Sequence, residues 1–243
     1  MVEGGPRIIR SAESVPDGPD SRAVEIAGEG KYVDILETVR KEGFLEKEMN
    51  RVREEYGLDE LSFLNDADRE MFTVLDLYDP VTAKHCLRTY EIAREKMEKE
   101  VIPGESLAQL LEKNESITPE QFYRACLFHD IGKVEVPRVV IQHRMSEGHM
   151  LECMHHLYHE GKILGTLGLA PSASDTEIDD ALKEHSLRSI DIVPAREVLS
   201  PEELAEVQHF GYSGDETLMD IIKTHEVFSG EILKNAGYTL ESK

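Results

Sequence analysis

The sequence predicts an all-α protein. Strand-like alternation is nearly absent. Apolar residues recur instead at helical spacing, and helix-start signatures stand before the periodic runs at Asn65, Thr118, Ser174 and Ser200. The chain has 243 residues and is 40% apolar, enough for one large domain or a domain with a subdomain. It is 31% charged with a formal net charge of −22, which argues against a broad nucleic-acid or anionic-membrane surface. No apolar run approaches the length of a membrane span, and the N-terminus lacks a secretory pattern, so a cytoplasmic location is expected. Cys86, Cys126 and Cys153 have no metal-like spacing and read as small apolar residues in a reducing compartment.

Residues 1–30 are rich in Gly, Pro, Ser and acid, and a flexible tail is expected. Residues 31–78 form an N-terminal helical extension. Tyr32, Ile35, Leu36 and Val39 mark one helix, and Leu45, Met49, Val52 and Tyr56 a second beyond Gly43. Asn65 caps a third, with Asp68 as box partner and Met71, Phe72, Leu75 and Tyr78 on its buried face. The extension carries no chemistry. A structural role is the favoured reading, and a homodimer contact or docking surface remains open.

The helix at about 80–100 has Cys86, Tyr90, Ala93 and Met97 as its core stripe, with His85 on the shoulder. A linker at 101–117 contains Pro103 and Gly104. Thr118, Pro119 and Gln121 then start a helix whose Phe122, Cys126 and His129 share one face. Asp130 follows, Gly132 is expected to end the helix, and Lys133 lies in the exit. Adjacent imidazole and carboxylate suit one divalent cation. A capped helix end is the plain alternative.

His129-Asp130-Ile131-Gly132-Lys133, with Pro137 beyond, closely resembles the core motif of the HD superfamily of metal-dependent phosphohydrolases. The HD-GYP cyclic-dinucleotide phosphodiesterases look like the nearest branch. His85 matches the superfamily's first histidine, and Arg88 falls where a basic residue is common. Leu-Ser-Pro-Glu-Glu-Leu at 199–204 and Thr-His-Glu-Val-Phe-Ser-Gly-Glu-Ile-Leu at 224–233 resemble segments of the HD-GYP type, with Gly230 one place later than the common spacing from His225. Leu218, Ile221, Ile222, His225, Phe228 and Ile232 read as one continuous helical face.

The resemblance implies an HD-domain helical bundle over 79–243 with an inserted helical segment at about 141–197, since 95 residues separate Asp130 from His225. It implies metal ligation by His85, His129, Asp130 and His225, with iron, manganese or another transition metal as cofactor. Asp130 and Lys133 would carry catalysis, and Lys133 and Arg88 would contact the phosphate. The implied substrate is a phosphorylated small molecule, most simply a nucleotide or cyclic dinucleotide. The insertion opens with a helix expected from Ser146 and closes with one from Ser174, with Glu177, Ile178, Leu182 and His185. It holds His143, His149, His155, His156 and His159, read first as solvated or core residues and second as another metal site.

The sequence departs from the HD-GYP pattern in having no Gly-Tyr-Pro loop. No closing aspartate follows His225, so Asp191, Asp215 and Asp220 are upstream candidates. The alternative reading is a catalytically incomplete module that serves as a metal- or nucleotide-binding signalling scaffold.

Overall fold

The structure is a computed structural model that describes residues 18–113, 117–142, 158, 167–170, 172–184 and 193–238. The expected helix from Ser146, the histidines at 143, 149, 155, 156, 159 and 185, and Cys153 and Asp191 lie outside the described residues.

The fold is all-α. Helices α1 (Ser21–Glu29), α2 (Tyr32–Lys41), α3 (Leu45–Tyr56), α4 (Asp66–Tyr78) and α5 (Pro80–Lys96) come first. Helix α1 is a departure from the expected tail: Asp20 caps it through Arg22 N, and Ala23, Ile26 and Ala27 are buried. The break between α2 and α3 falls at Gly43, which has a left-handed φ of 79°. Asn65 and Asp68 form the expected capping box of α4, and Met71, Phe72, Leu75 and Tyr78 are buried.

The segment 101–117 is more than a linker. It contains a two-stranded antiparallel hairpin, β1 (Glu100–Ile102) and β2 (Glu105–Ser106), and helix α6 (Leu107–Lys113). Gly104 turns the hairpin with φ 82°. Helix α7 (Pro119–Phe128) follows, then a 3₁₀ turn at Ile131–Glu135 and helix α8 (Arg138–Gln142). Helix α9 (Asp175–Glu184) starts at the predicted Ser174–Glu177 box and buries Ile178 and Leu182. Helices α10 (Ala195–Val198), α11 (Pro201–His209), α12 (Leu218–Lys223) and α13 (His225–Asn235) complete the described elements.

The largest apolar core draws on α1 to α5, α7, the 3₁₀ turn and α13. The N-terminal extension therefore shares its core with the rest of the chain. Burial of apolar surface, at roughly 25 cal/mol per Å², holds these elements together, and Ile232 is the buried residue that α13 contributes. A second core joins Val136 and Val140 to Ala195, Val207, Leu218 and Ile221.

Buried charges in the extension are paired. The Arg51 guanidinium bonds Glu48 at 2.7 Å and Glu55 at 2.8 Å, and also reaches Asp76. Tyr56 donates its hydroxyl to the same Asp76. This network joins α3 to α4.

Glu135, at the end of the 3₁₀ turn, accepts a hydrogen bond from Tyr32 N at 2.9 Å. Burial pushes its carboxyl above the ordinary value of 4.5. The Tyr32 amide and Lys31 pull it down, and Asp34 and Glu231 add to the rise. A folded-state pKa above the unfolded one gives stability that is complete below the unfolded value and lost as pH rises through the folded value. Glu135→Gln keeps the acceptor oxygen without the charge. It is expected to raise Tm at pH 7 and to converge with the parent as pH falls below 4.5. Thermal unfolding across that range checks it.

Candidate metal centre

Helix α7 ends one turn earlier than expected. Its last residue is Phe128, and His129 is the C-cap with right-handed φ and ψ. The face of α7 in the core is Leu127 and Phe128, with Phe122 and Cys126 only partly buried. The aromatic contacts of Tyr123 with Phe63 and Tyr90, at 5.8 and 5.4 Å between ring centroids, set this rotation. His129 is thereby turned out of the core toward α5.

Gly132 does not cap the helix. It lies in the 3₁₀ turn without a positive φ, and its role is close approach. A Cβ there would lie 2.1 Å from the His225 carbonyl oxygen and 2.4 Å from Ser229 N. Helix α13 thus packs backbone to backbone against the turn. Gly230 faces open space, with nothing within 4 Å of a Cβ placed there.

The predicted continuous helix over 218–232 is broken at Thr224, between α12 and α13. The Thr224 hydroxyl bonds the Ile221 carbonyl at 2.6 Å, and Tyr212 OH lies 2.8 Å from the same hydroxyl. Such side-chain bonds compete with the helical ladder. His225 therefore stands at a helix start.

His129 and His225 are oriented in the same way. Nδ1–H of His129 donates to Cys126 O at 3.0 Å, and Nδ1–H of His225 donates to Ile222 O at 2.6 Å. Each acceptor is a carbonyl near the end of a helix, where the backbone ladder runs out. The bond sets each ring's orientation; Nε2–H of His225 in turn hydrogen-bonds Asp130, so ligation at that atom would release its proton.

Both Nε2 atoms face Asp130. His129 Nε2 is 3.5 Å and His85 Nε2 3.8 Å from Asp130 Oδ2, while His225 Nε2 is 3.1 Å from Oδ1. The rings of His85 and His129 meet edge to face at 5.2 Å. One donor atom from each of His85, His129 and Asp130 lies within 4.8 Å of the other two, the arrangement one metal ion needs. Ligand bonds of about 2.1 Å place neighbouring donors roughly 3.0–3.4 Å apart, so the observed spacings fit with small movements. His225 sits on the other carboxylate oxygen.

Exposure grades across the site. The side chains of Asp130 and His225 are 7% and 15% exposed, those of His129 and His85 38% and 57%. The carboxylate is the floor and His85 the open rim. Burial pushes the Asp130 carboxyl up, but hydrogen bonds from His225 and Lys133 outweigh it and hold the group well below the usual range. The hydrogen bond to Asp130 raises His225 above 6.5, with burial opposing. Lys133 Nζ lies 2.8 Å from Asp130 Oδ2. Behind His129, the buried Cys86 thiol lies 4.0 Å from Nδ1, and burial pushes it up to about 12. It is a thiol at neutral pH and packs as an apolar spacer.

Arg88 lies on α5 one turn beyond His85 and is exposed. Asp215 and Asp220 are not at the site. Asp215 pairs with Arg196, and Asp220 closes the capping box of α12 with Thr217. The sequence reading missed Ser229 and the two carbonyls that orient the imidazoles. The i−3 spacing of those carbonyls is visible only once the helix ends are known.

A family model described as the HD domain matches residues 82–204, about half of the chain. The chain belongs to the HD domain family. That match takes in His85, His129 and Asp130 and ends before His225. An HD domain implies a metal-dependent phosphohydrolase, and these three residues can hold the divalent ion. No curated protein and no solved structure matches the chain. No described helix of this HD domain protein is long and apolar enough to cross a membrane.

Proposed function

We propose that the protein is a phosphodiesterase of HD-GYP-like type, acting on a nucleotide or cyclic dinucleotide. The observation that carries the reading is Asp130. Its Oδ2 faces His85 and His129 and its Oδ1 faces His225, so one carboxylate has imidazole donors on both oxygens. This suits a carboxylate shared between two ions. A bound divalent cation would supply Lewis-acid polarisation of a phosphoryl oxygen and a water nucleophile near neutral pH.

The remaining work belongs to the chain. The Nδ1 bonds hold the His129 and His225 rings with Nε2 toward Asp130, so ligation would need little movement of the rings, and at His225 it would release the proton given to Asp130. Lys133, on Asp130, lends positive charge to the site floor and is placed to offset charge on a phosphoryl group. Arg88 supports substrate binding from the rim, where an exposed, planar guanidinium fork matches a phosphate. These cations draw a negative substrate to a chain whose net charge would repel it.

The second reading is a catalytically incomplete module that binds metal or nucleotide as a signalling scaffold. It is favoured by the engagement of Asp215 and Asp220 elsewhere, which leaves the usual closing aspartate unidentified. Elemental mass spectrometry on tag-free protein, beside turnover of bis(p-nitrophenyl) phosphate and a panel of cyclic dinucleotides, tests both readings. One or two equivalents of a transition metal with diester hydrolysis lost in His129→Ala supports the enzyme. Metal without hydrolysis of any diester supports the scaffold.

A further inference from the structure

We propose that Ser229 is a positioning residue of this centre. Its hydroxyl sets the spacing between the turn that carries His129 and Asp130 and the helix that carries His225. The inference rests on the reading of the site as a metal centre.

Ser229 lies four residues after His225 in α13, one turn along the same face. It is buried, with 5% exposure. Its Oγ accepts the Gly132 amide at 2.8 Å and donates to the His129 carbonyl at 2.9 Å. Both partners flank Asp130 in the sequence, so one hydroxyl spans the residue on which the imidazoles converge. Gly132 has no Cβ, and the α13 backbone approaches it too closely for one.

The hydroxyl also completes the fixing of His129. That residue's ring is held through Nδ1 by the Cys126 carbonyl, and its own carbonyl is held by Ser229. Removing the hydroxyl would leave a buried amide and a part-buried carbonyl without this partner. It would also free the turn to pivot against α13. The distance from His225 Nε2 to Asp130 Oδ1 would then no longer be set by the backbone contact.

The test is Co²⁺ titration of the full chain, followed by calorimetry and by the visible absorption of the bound ion. The proteins are the parent, Ser229→Ala, Ser229→Thr and Asp130→Ala. The parent should bind and Asp130→Ala should not. Ser229→Ala should keep its helical content, bind about 10–100-fold more weakly and show an altered visible band, as expected when an outer-shell partner is lost. Ser229→Thr keeps the hydroxyl and should restore both affinity and band. The proposal is overturned if Ser229→Ala binds Co²⁺ like the parent, or if alanine and threonine lose binding alike. It is also overturned if alanine alone prevents folding, since the hydroxyl would then hold the whole fold and not the centre. A parent that binds no Co²⁺ would sink the metal-centre reading itself, a result distinct from normal binding in an altered Ser229.

Discussion

Asp130→Asn is expected to abolish metal binding while leaving the helices in place. The carboxylate is the shared partner of His85, His129, His225 and Lys133. An amide offers one oxygen where the site uses two and turns a donor toward Lys133 or His225. Outer-shell changes alone cost about 10–100-fold in affinity, so loss of the central ligand should exceed about 100-fold. Calorimetric titration with Mn²⁺ or Co²⁺ measures it, and any diesterase turnover should fall with it.

The same variant has a readout in chelator-treated protein. The hydrogen bond from His225 to Asp130 holds that imidazole above 6.5. A raised folded pKa gives stability that is complete below 6.5 and lost as pH rises through the folded value. The lowered Asp130 pKa gives the complementary window, with stability present above 3.8 and lost as pH falls through the folded value. In Asp130→Asn the His225 titration, followed by NMR, should move back toward 6.5, and the Tm deficit from this pair should shrink at alkaline pH. A His225 that titrates identically in both proteins would contradict the pairing.

Gly132→Ala and Gly230→Ala are expected to have opposite signs. At Gly132 a methyl group would meet the His225 carbonyl at 2.1 Å and Ser229 N at 2.4 Å. Both are backbone atoms, so the helix itself must move. Overpacking of this kind costs about 1–3 kcal/mol and sometimes more. For a chain of this size each kcal/mol lowers Tm by about 2–4 °C. Displacement of α13 also withdraws His225 from Asp130, so metal affinity should fall with Tm. At Gly230, exposed in the same helix, a methyl meets nothing, and the gain in helix propensity is worth about 0.5–1 kcal/mol. Two alanine substitutions, one harmful and one helpful, would locate the close contact at Gly132.

Much of this was legible in the sequence because the signals were local. The capping boxes at Asn65, Thr118, Ser174 and Ser200 start helices where their residue types require it. The apolar stripe of α5 is buried at Cys86, Tyr90, Ala93 and Met97. His85, His129 and Asp130 were identified from the motif resemblance and converge in space. The departures arise where a distant partner decides. Gly132 looks like a helix terminator, but its backbone conformation is ordinary and its reason is α13, almost a hundred residues on. The face of α7 was rotated by Tyr123 against Phe63 and Tyr90, contacts that no spacing within α7 reveals. Helix α1 hides in a Gly- and acid-rich stretch because three small or branched apolar residues suffice when α4 is there to cover them.

The seating of α13 has a consequence for the order of assembly. His85, His129 and Asp130 come from α5 and the end of α7, which pack directly on each other. His225 arrives on a helix whose anchors reach far back along the chain. Ser229 bonds Gly132 across 97 residues, and the Tyr238 hydroxyl bonds Asp68 at 2.7 Å across 170. Loop-closure entropy must be met before such contacts return any stability. The three-donor cluster is therefore expected to form early in folding, and the fourth donor, the His225 imidazole, to join only when the last described helix docks. In the native protein the same logic runs in reverse. Amides of α13 should exchange with solvent before those of α4 and α5, and ion release should follow that local opening and not global unfolding.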